Sequence, residues 1–223
     1  QNPAAKDAIA QILINSRMCA MGHRPICQDT GIVTVFLKIG MSVSWDDATM
    51  SVSDMVNEGV RRAYTHPDNV LRASILEDPA GARKNTGDNT PAVIHMEVIE
   101  GDTVDVQVAA KGGGSENKSK LAMLNPSDSI VDWVVKTVPT MGAGWCPPGM
   151  LGIGIGGTAE KAAVLAKESL MESIDIQELR DRGASNRIEE LRLEIMDAVN
   201  KLGIGAQGLG GLTTVMDVKI KDF

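Results

Sequence analysis

Two cysteines stand in short segments whose neighbours suit metal or acid–base chemistry. Cys27 is followed by Gln28 and Asp29, so a thiol, an amide and a carboxylate share one turn between a predicted helix and a predicted strand. Cys146 lies in the sequence GWCPPG, where the prolines restrict the backbone and remove hydrogen-bond donors. A proline after a cysteine is also found in ferredoxin-type cluster motifs. Inert cysteines in structural turns are the alternative, and these segments alone leave it open.

Two glycine-rich segments are candidates for ligand binding. Successive N–H groups in Lys111–Ser115 can form an anion-binding nest, and a flexible loop is the alternative. Gly152, Gly154 and Gly157 match the G-x-G-x-x-G pattern of dinucleotide sites, which makes an NAD-dependent or FAD-linked oxidoreductase the rival hypothesis. However, residues 173–185, where a second parallel strand would be expected, are polar. We therefore favour close packing of a strand on a helix as the reason for these glycines.

The other cysteine and the histidines carry weaker signals. Cys19 lies within a predicted helix, and we expect it to have no role. The three histidines, His23, His66 and His95, have no partner at metal-ligand spacing. His95 lies in a predicted strand and is interpreted as structural.

Hydrophobic periodicity and turn signals predict the elements that must position these segments. Helices are predicted at 4–21, from Ser53 to before Pro67, from Ser127 to Pro139, at 158–171 and from 186 or 187 to 202. Strands are predicted at 32–39, 92–99, 103–109, 150–155 and 212–220. The turn Glu100-Gly101-Asp102 indicates that the second and third strands form a hairpin. The pattern predicts an α+β fold, with mixed or antiparallel sheets surrounded by helices, in a single domain over residues 1–223.

Composition narrows the class of protein. The chain has 223 residues, a net charge of −7 and no basic patch, which argues against a nucleic-acid partner. No apolar run reaches the roughly 18–20 residues needed to span a bilayer, so no membrane association is expected. Three cysteines without a visible signal peptide favour a reducing, cytoplasmic location. Because the sequence begins QNPAAKD without Met, we expect a fragment of a longer chain.

A series of longer motifs resembles a known enzyme family. In chain order they are PICQDTG, NVLRAS, NTPA, AKGGGSENKS, WCPPG, IGGTAEKA and LGIGAQGLGG. Together they resemble the N-terminal domain of class I, iron–sulfur fumarate hydratase, and the L-tartrate dehydratase α subunit shares much of the pattern. The resemblance runs along essentially all 223 residues.

The resemblance implies a hydro-lyase that reversibly hydrates fumarate to (S)-malate with a [4Fe-4S] cluster as Lewis acid. It implies that Cys27 and Cys146 are two of three cluster ligands. The third lies beyond Phe223, so we expect this chain alone to hold no stable cluster and to be inactive. The implied substrate-binding residues are Gln28, Asp29, Arg72 and Gly114. Asp29 is also the candidate catalytic residue, either moving a proton or orienting the group that does.

The resemblance also implies partners and leaves alternatives. A C-terminal domain or β subunit should complete the site for a small dicarboxylate, and a homodimer is expected. Tartrate or mesaconate are alternative substrates. A non-catalytic assembly module would have no use for two cluster cysteines in rigid loops. An iron–sulfur redox protein would normally use all-cysteine ligation, for which only Cys27 and Cys146 are candidates.

Overall fold

The computed structural model describes residues 2–46 and 49–223, which form two compact units. The three-strand unit comprises Ser16–Glu116, and the two-strand unit comprises the residues up to Asn15 together with Asn117–Phe223. Across the described ranges, α-helices accompany one mixed sheet, one parallel pair and one short antiparallel pair, so the predicted α+β class is confirmed. A single domain over 1–223 remains a prediction.

The three-strand unit is built on a mixed sheet. Its central strand β1, Ile32–Gly40, pairs in parallel with β4, Val93–Ile99, and antiparallel with β5, Val104–Lys111. The helix α2, Val52–Thr65, packs Val60 and Tyr64 against the valines and leucine of β1. The remaining elements are the last turns of α1 (Pro3–Gly22), the two-residue strands β2 (Leu76–Glu77) and β3 (Lys84–Asn85), and the one-turn helix α3 (Gly113–Glu116).

The predicted hairpin is wrong, although both of its strands exist. β4 and β5 do not pair with each other, because β1 lies between them. Residues 33–37 of β1 are all buried, as in strands covered on both faces, whereas β4 and β5 are largely exposed or half-buried edge strands. The Gly101 turn crosses the end of β1, where the N–H of Gly40 donates to the Thr103 carbonyl at 2.9 Å.

The two-strand unit centres on a parallel pair, β6 (Gly149–Ile155) and β7 (Val215–Asp222). Its core includes five residues with no exposed surface, namely Leu179, Ile195, Val199, Val215 and Val218. The elements packed in this unit are α4 (Ile130–Thr137), α5 (Ala159–Ser169), α6 (Ile176–Arg182), α7 (Arg187–Asn200) and 3-10 turns at Val138–Met141 and Ala206–Gly208.

Three local predictions need correction. The helix caps are Ser51 and Ser129 rather than Ser53 and Ser127, since each accepts the N–H of the aspartate three residues later, at 3.1 Å. This Ser-x-x-Asp spacing is the capping signal that the prediction overlooked. The segment 173–185 contains α6, whose Leu179 is completely buried, so its single apolar face was hidden among charged residues.

The glycines of β6 serve close packing on α5. A Cβ placed on Gly152 would lie 2.2 Å from the carbonyl oxygen of Ala166, and one on Gly154 would lie 1.9 Å from that of Ala162. No side chain fits at either position. The interpretation of these glycines as strand–helix packing is therefore confirmed.

A buried ionic cluster links β7, α7 and α6. Asp217 and Lys219 on β7 are essentially inaccessible, and the Arg192 guanidinium reaches both the Asp217 carboxylate, at 3.1 Å, and the Val218 carbonyl, at 2.6 Å. Asp175, at the start of α6, binds both Arg192 and Lys219. Two positive and two negative charges therefore compensate one another, as buried charges require.

Removing the Asp217 charge should strongly destabilise the chain. Asp217→Asn leaves Arg192 and Lys219 with one carboxylate between them, so we expect a loss of roughly 3 kcal/mol or more in the free energy of unfolding, measured by urea titration. Asp197→Asn is the matched control, because Asp197 also pairs with an arginine, Arg180, but at the surface. It should cost about 0–1 kcal/mol. Equal losses would contradict the role of the cluster.

Acid should weaken the same cluster. The Arg192 guanidinium, aided by Lys219, lowers the pKa of Asp175 to about 2. Because the folded-state pKa lies below the unfolded value of about 3.9, the contribution of Asp175 is present above that value and lost as pH falls towards 2. The difference in unfolding free energy between wild type and Asp175→Asn should be constant near neutrality and shrink in acid. A difference independent of pH would refute this.

Candidate functional site

The turn before β1 presents an exposed thiol beside polar groups. The Cys27 thiol donates to the Gln28 side-chain oxygen at 3.4 Å, and the Asp29 N–H donates to the Cys27 sulfur at 3.4 Å. Cys27 and Gln28 are exposed, and Asp29 is half-buried. Backbone N–H groups bonded to sulfur are typical of cysteines that bind metal clusters, because they stabilise the negative charge on the ligand.

Asp29 also contacts the glycine-rich loop. One carboxylate oxygen, Oδ2, accepts the N–H of Gly114 at 3.2 Å. The structure therefore brings two predicted substrate-binding residues into direct contact and shows that the Gly114 N–H can bind a carboxylate. The loop is held from its other side by Lys111, whose ammonium lies 3.1 Å from both the Ser115 hydroxyl and the Glu116 carboxylate.

The register of the sheet produces this contact. Ile32 of β1 pairs with Lys111 of β5, so the residues before β1 lie beside the residues after β5. Gly31 makes the approach possible, since a Cβ there would lie 1.8 Å from the Lys111 carbonyl oxygen. Its φ of +57° also lies in the left-handed region, which favours glycine.

Arg72 is brought to the same edge of the sheet. Its carbonyl accepts the Thr30 hydroxyl at 2.8 Å, which ties the Arg72 segment to the turn that carries Cys27. The Arg72 side chain is exposed, and no carboxylate in residues 2–46 or 49–223 forms an ion pair with it. Its planar guanidinium is available for a carboxylate ligand. Thus Cys27, Gln28, Asp29, Arg72 and Gly114 all lie in the three-strand unit, and their roles towards a substrate remain predictions.

Cys146 lies in a fixed loop of the two-strand unit. It is exposed and has a φ of +57°, while the preceding Trp145 is buried in the core. Its N–H donates to the Ala143 carbonyl at 2.9 Å. Beyond it, the Pro147 carbonyl accepts both the backbone and side-chain N–H groups of Gln207, at 2.6 and 3.1 Å. The loop therefore holds the thiol in one place at the surface of this unit.

Sequence reasoning missed a lysine beside this loop. Lys118 is half-buried, and its Cε would lie 2.7 Å from a Cβ on Gly144, two residues before Cys146. The glycine thus leaves room for the lysine side chain. Lys118 stands in the AKGGGSENKS motif, but nothing in the spacing indicated that this motif meets WCPPG.

The cysteines fit a metal–sulfur site only in part. None of Cys19, Cys27 and Cys146 forms a disulfide within the described residues. Within the part of the chain that the structure describes, no three His, Cys, Asp or Glu side chains come together as a metal site. Cys27 and Cys146 are exposed thiols in fixed loops, which suits ligands that are shared with residues from elsewhere. Cys19 instead donates to the Pro25 carbonyl at 3.3 Å.

Comparison with known proteins identifies the family. A family model described as fumarate hydratase (Fumerase) matches residues 1–223, so the chain is of the hydro-lyase class. The chain belongs to the fumarate hydratase (Fumerase) family.

Curated relatives carry the name of one subunit of a related enzyme. A putative L(+)-tartrate dehydratase subunit alpha from Methanocaldococcus jannaschii is 37% identical over 97% of this chain and 75% of its own length. The L(+)-tartrate dehydratase subunit alpha of Escherichia coli strain UTI89 is 31% identical over 89% of this chain. The aligned region spans 64% of that relative's length. No helix in the described residues is long and apolar enough to cross a membrane.

Gly31→Ala should disrupt the edge that carries these residues. The new methyl group overlaps the Lys111 carbonyl, so we expect the free energy of unfolding to fall by roughly 2–5 kcal/mol, from strain and overpacking together. Gly87→Ala is the matched control: Gly87 also has positive φ, at +80°, but open space around it. That change should cost only about 1–2 kcal/mol. Similar losses from both variants would argue against the close approach.

Proposed function

We propose that this chain is the part of an iron–sulfur hydro-lyase that supplies two of three cluster cysteines and one side of a dicarboxylate site. The observation that carries the proposal is the meeting of three segments at one edge of the sheet. They carry an exposed thiol at Cys27, an N–H at Gly114 that binds a carboxylate, and Arg72, whose guanidinium forms no ion pair within residues 2–46 and 49–223. The family match supports the reaction class.

Cys27 and Cys146 would hold the [4Fe-4S] cluster together with a third cysteine from beyond this chain. When bound, the cluster would act as a Lewis acid that polarises the hydroxyl group to be eliminated. Arg72 would bind a substrate carboxylate through two parallel hydrogen bonds, and the Gly114 N–H would donate to a carboxylate oxygen. Loss of a proton from the carbon next to a carboxylate moves negative charge onto that carboxylate. These fixed donors would stabilise that charge.

Asp29 is the candidate for handling the proton. Its Oδ2 binds Gly114, while its Oδ1 makes no hydrogen bond with any residue in the described ranges. The free oxygen can accept a proton, and before substrate binds the bonded oxygen holds the carboxylate beside Gly114. Gln28, exposed beside Cys27, would bind the substrate through its amide group.

Fumarate and L-tartrate are both candidate substrates. The family name favours fumarate, and the names of the relatives favour L-tartrate equally. Both reactions remove water from, or add it to, a four-carbon dicarboxylic acid, so the same cysteines and carboxylate donors serve either one. Mesaconate, a methylated relative of fumarate, is a further alternative. Because the relatives are named as alpha subunits, we propose that a second subunit or a further domain completes the site.

The proposal is tested on the whole enzyme, purified without oxygen together with any partner subunit. Fumarate absorbance is followed before and after exposure to air, and L-tartrate and mesaconate are assayed alongside. Turnover that is lost in air, together with bound iron and sulfide, supports the proposal, and the preferred acid names the substrate. Air-stable turnover, or a protein without iron, contradicts it.

Cysteine variants test the ligand assignment. Mutating a residue that hydrogen-bonds to a metal ligand typically lowers activity roughly 10–100-fold. Cys27→Ser and Cys146→Ser remove a ligand itself, so each should lower activity by more than that and reduce the iron content in parallel. Cys19→Ser is the matched control, because its thiol is bonded to the Pro25 carbonyl, and it should keep iron and activity. Iron retained at wild-type levels in Cys27→Ser or Cys146→Ser would reject the assignment.

A further inference from the structure

Asn89 is a buried side chain whose hydrogen bonds all end on the two segments that carry the proposed substrate groups. It has no exposed surface. Its side-chain oxygen accepts the N–H groups of Ser74, at 2.6 Å, and Ile75, at 3.2 Å. Its side-chain nitrogen donates to the Gly31 carbonyl at 3.1 Å. One amide group therefore joins the segment after Arg72 to the turn after Asp29.

Thr30 makes a second link between the same two segments. Its side chain is almost fully buried, with 5% of the residue exposed, and its hydroxyl donates to the carbonyl of Arg72 itself at 2.8 Å. Thr30 directly follows Asp29 in the chain. The backbone at and after Arg72 and the backbone just after Asp29 are thus joined by two buried side chains.

The fold explains why an asparagine stands at this position. β4 runs parallel to β1, with Val93 opposite Thr34, so the residues before β4 lie beside the residues before β1. Asn89 has a φ of +59°, a conformation that asparagine tolerates better than most residues. Glycine would also adopt this backbone conformation, but it would make none of the three side-chain hydrogen bonds of Asn89.

We propose that Asn89, together with Thr30, is a positioning residue that sets the distance between the backbone at Arg72 and the Asp29–Gly114 contact. This inference rests on the proposed function, because it assumes that Arg72 and Gly114 bind carboxylates of one substrate. A four-carbon dicarboxylate allows only a narrow range of spacings between its charged groups, and in fumarate the double bond fixes that spacing. A small change in the separation of the two segments therefore weakens binding at one of its ends.

Asn89→Asp in the whole enzyme is the direct test. It preserves shape but replaces the donor to the Gly31 carbonyl with an oxygen, so that two acceptors face each other. We expect KM and the dissociation constant of succinate, a non-reacting dicarboxylate measured by calorimetry, to rise roughly 10- to 100-fold, as for small misplacements of binding groups. Iron and sulfide content should stay at the wild-type level. Thr30→Val, which lacks the hydroxyl, should also raise KM and the succinate dissociation constant. Thr30→Ser keeps the hydroxyl and should have values near those of the wild type.

Asn200→Asp is the matched control for stability. Asn200 makes the same kind of contact in the two-strand unit, since its oxygen accepts the N–H groups of Thr214 and Val215, at 2.7 and 3.0 Å, and its nitrogen donates to the Val215 carbonyl. Both variants should lower the melting temperature to a similar extent. Only Asn89→Asp should change KM and the succinate dissociation constant.

The possible outcomes separate this inference from the proposed function. Unchanged KM and succinate binding in Asn89→Asp, or equal changes in Asn200→Asp, would overturn the positioning role. Loss of iron in Asn89→Asp would also overturn it, because Asn89 would then act on the Cys27 ligand instead. A wild-type enzyme that turns over none of the acids would refute the proposed function. In that case succinate binding alone would decide the positioning role. If succinate does not bind, or binds equally well to Asn89→Asp, the positioning role is rejected.

Discussion

The pairing of β1 on both of its sides is the constraint on which the candidate site depends. β4 lies parallel to β1 and β5 lies antiparallel, so the starts of β1 and β4 and the end of β5 meet at one edge of the sheet. Asp29 precedes β1, Asn89 precedes β4 and Gly114 follows β5, so all three residues lie next to these strand ends. A slip of one residue in either pairing would turn side chains to the opposite face and separate these groups. The apolar interior of β1 that favours its central position is therefore also what assembles the site.

The unit that carries Cys146 is organised by charge as well as by packing. β7 combines completely buried valines with Asp217 and Lys219, which are compensated by Arg192 and Asp175. Such a cluster contributes less net stability than an apolar core of the same volume, but it tolerates little rearrangement. The nearby Cys146 loop is fixed by different means, through the buried Trp145 and the hydrogen bonds to Pro147.

The sequence predicted what depends on short-range pattern and missed what depends on contacts distant in the chain. The long helices, the five strands and the motifs around Cys27 and Cys146 were visible, because apolar periodicity and glycine or proline placement are local signals. The pairing of β4 with β1 was not, because Glu100-Gly101-Asp102 fits a hairpin equally well. Asn89 stood in a recognised motif, NTPA, but its partners lie 14, 15 and 58 residues away. Lys118 was missed for the same reason.

Under the proposed function, the contact between Asp29 and Gly114 means that a ligand must replace one hydrogen bond with another. The Gly114 N–H already binds a carboxylate of the protein, so an incoming carboxylate replaces one hydrogen bond with another of the same kind and gains little from that step alone. A monocarboxylic acid would therefore be a poor competitor, and discrimination would come from the second end of the ligand. The displaced Asp29 would then be released into a site that now contains substrate. Under the proposed function, occupancy itself would turn a structural carboxylate into a reactive one.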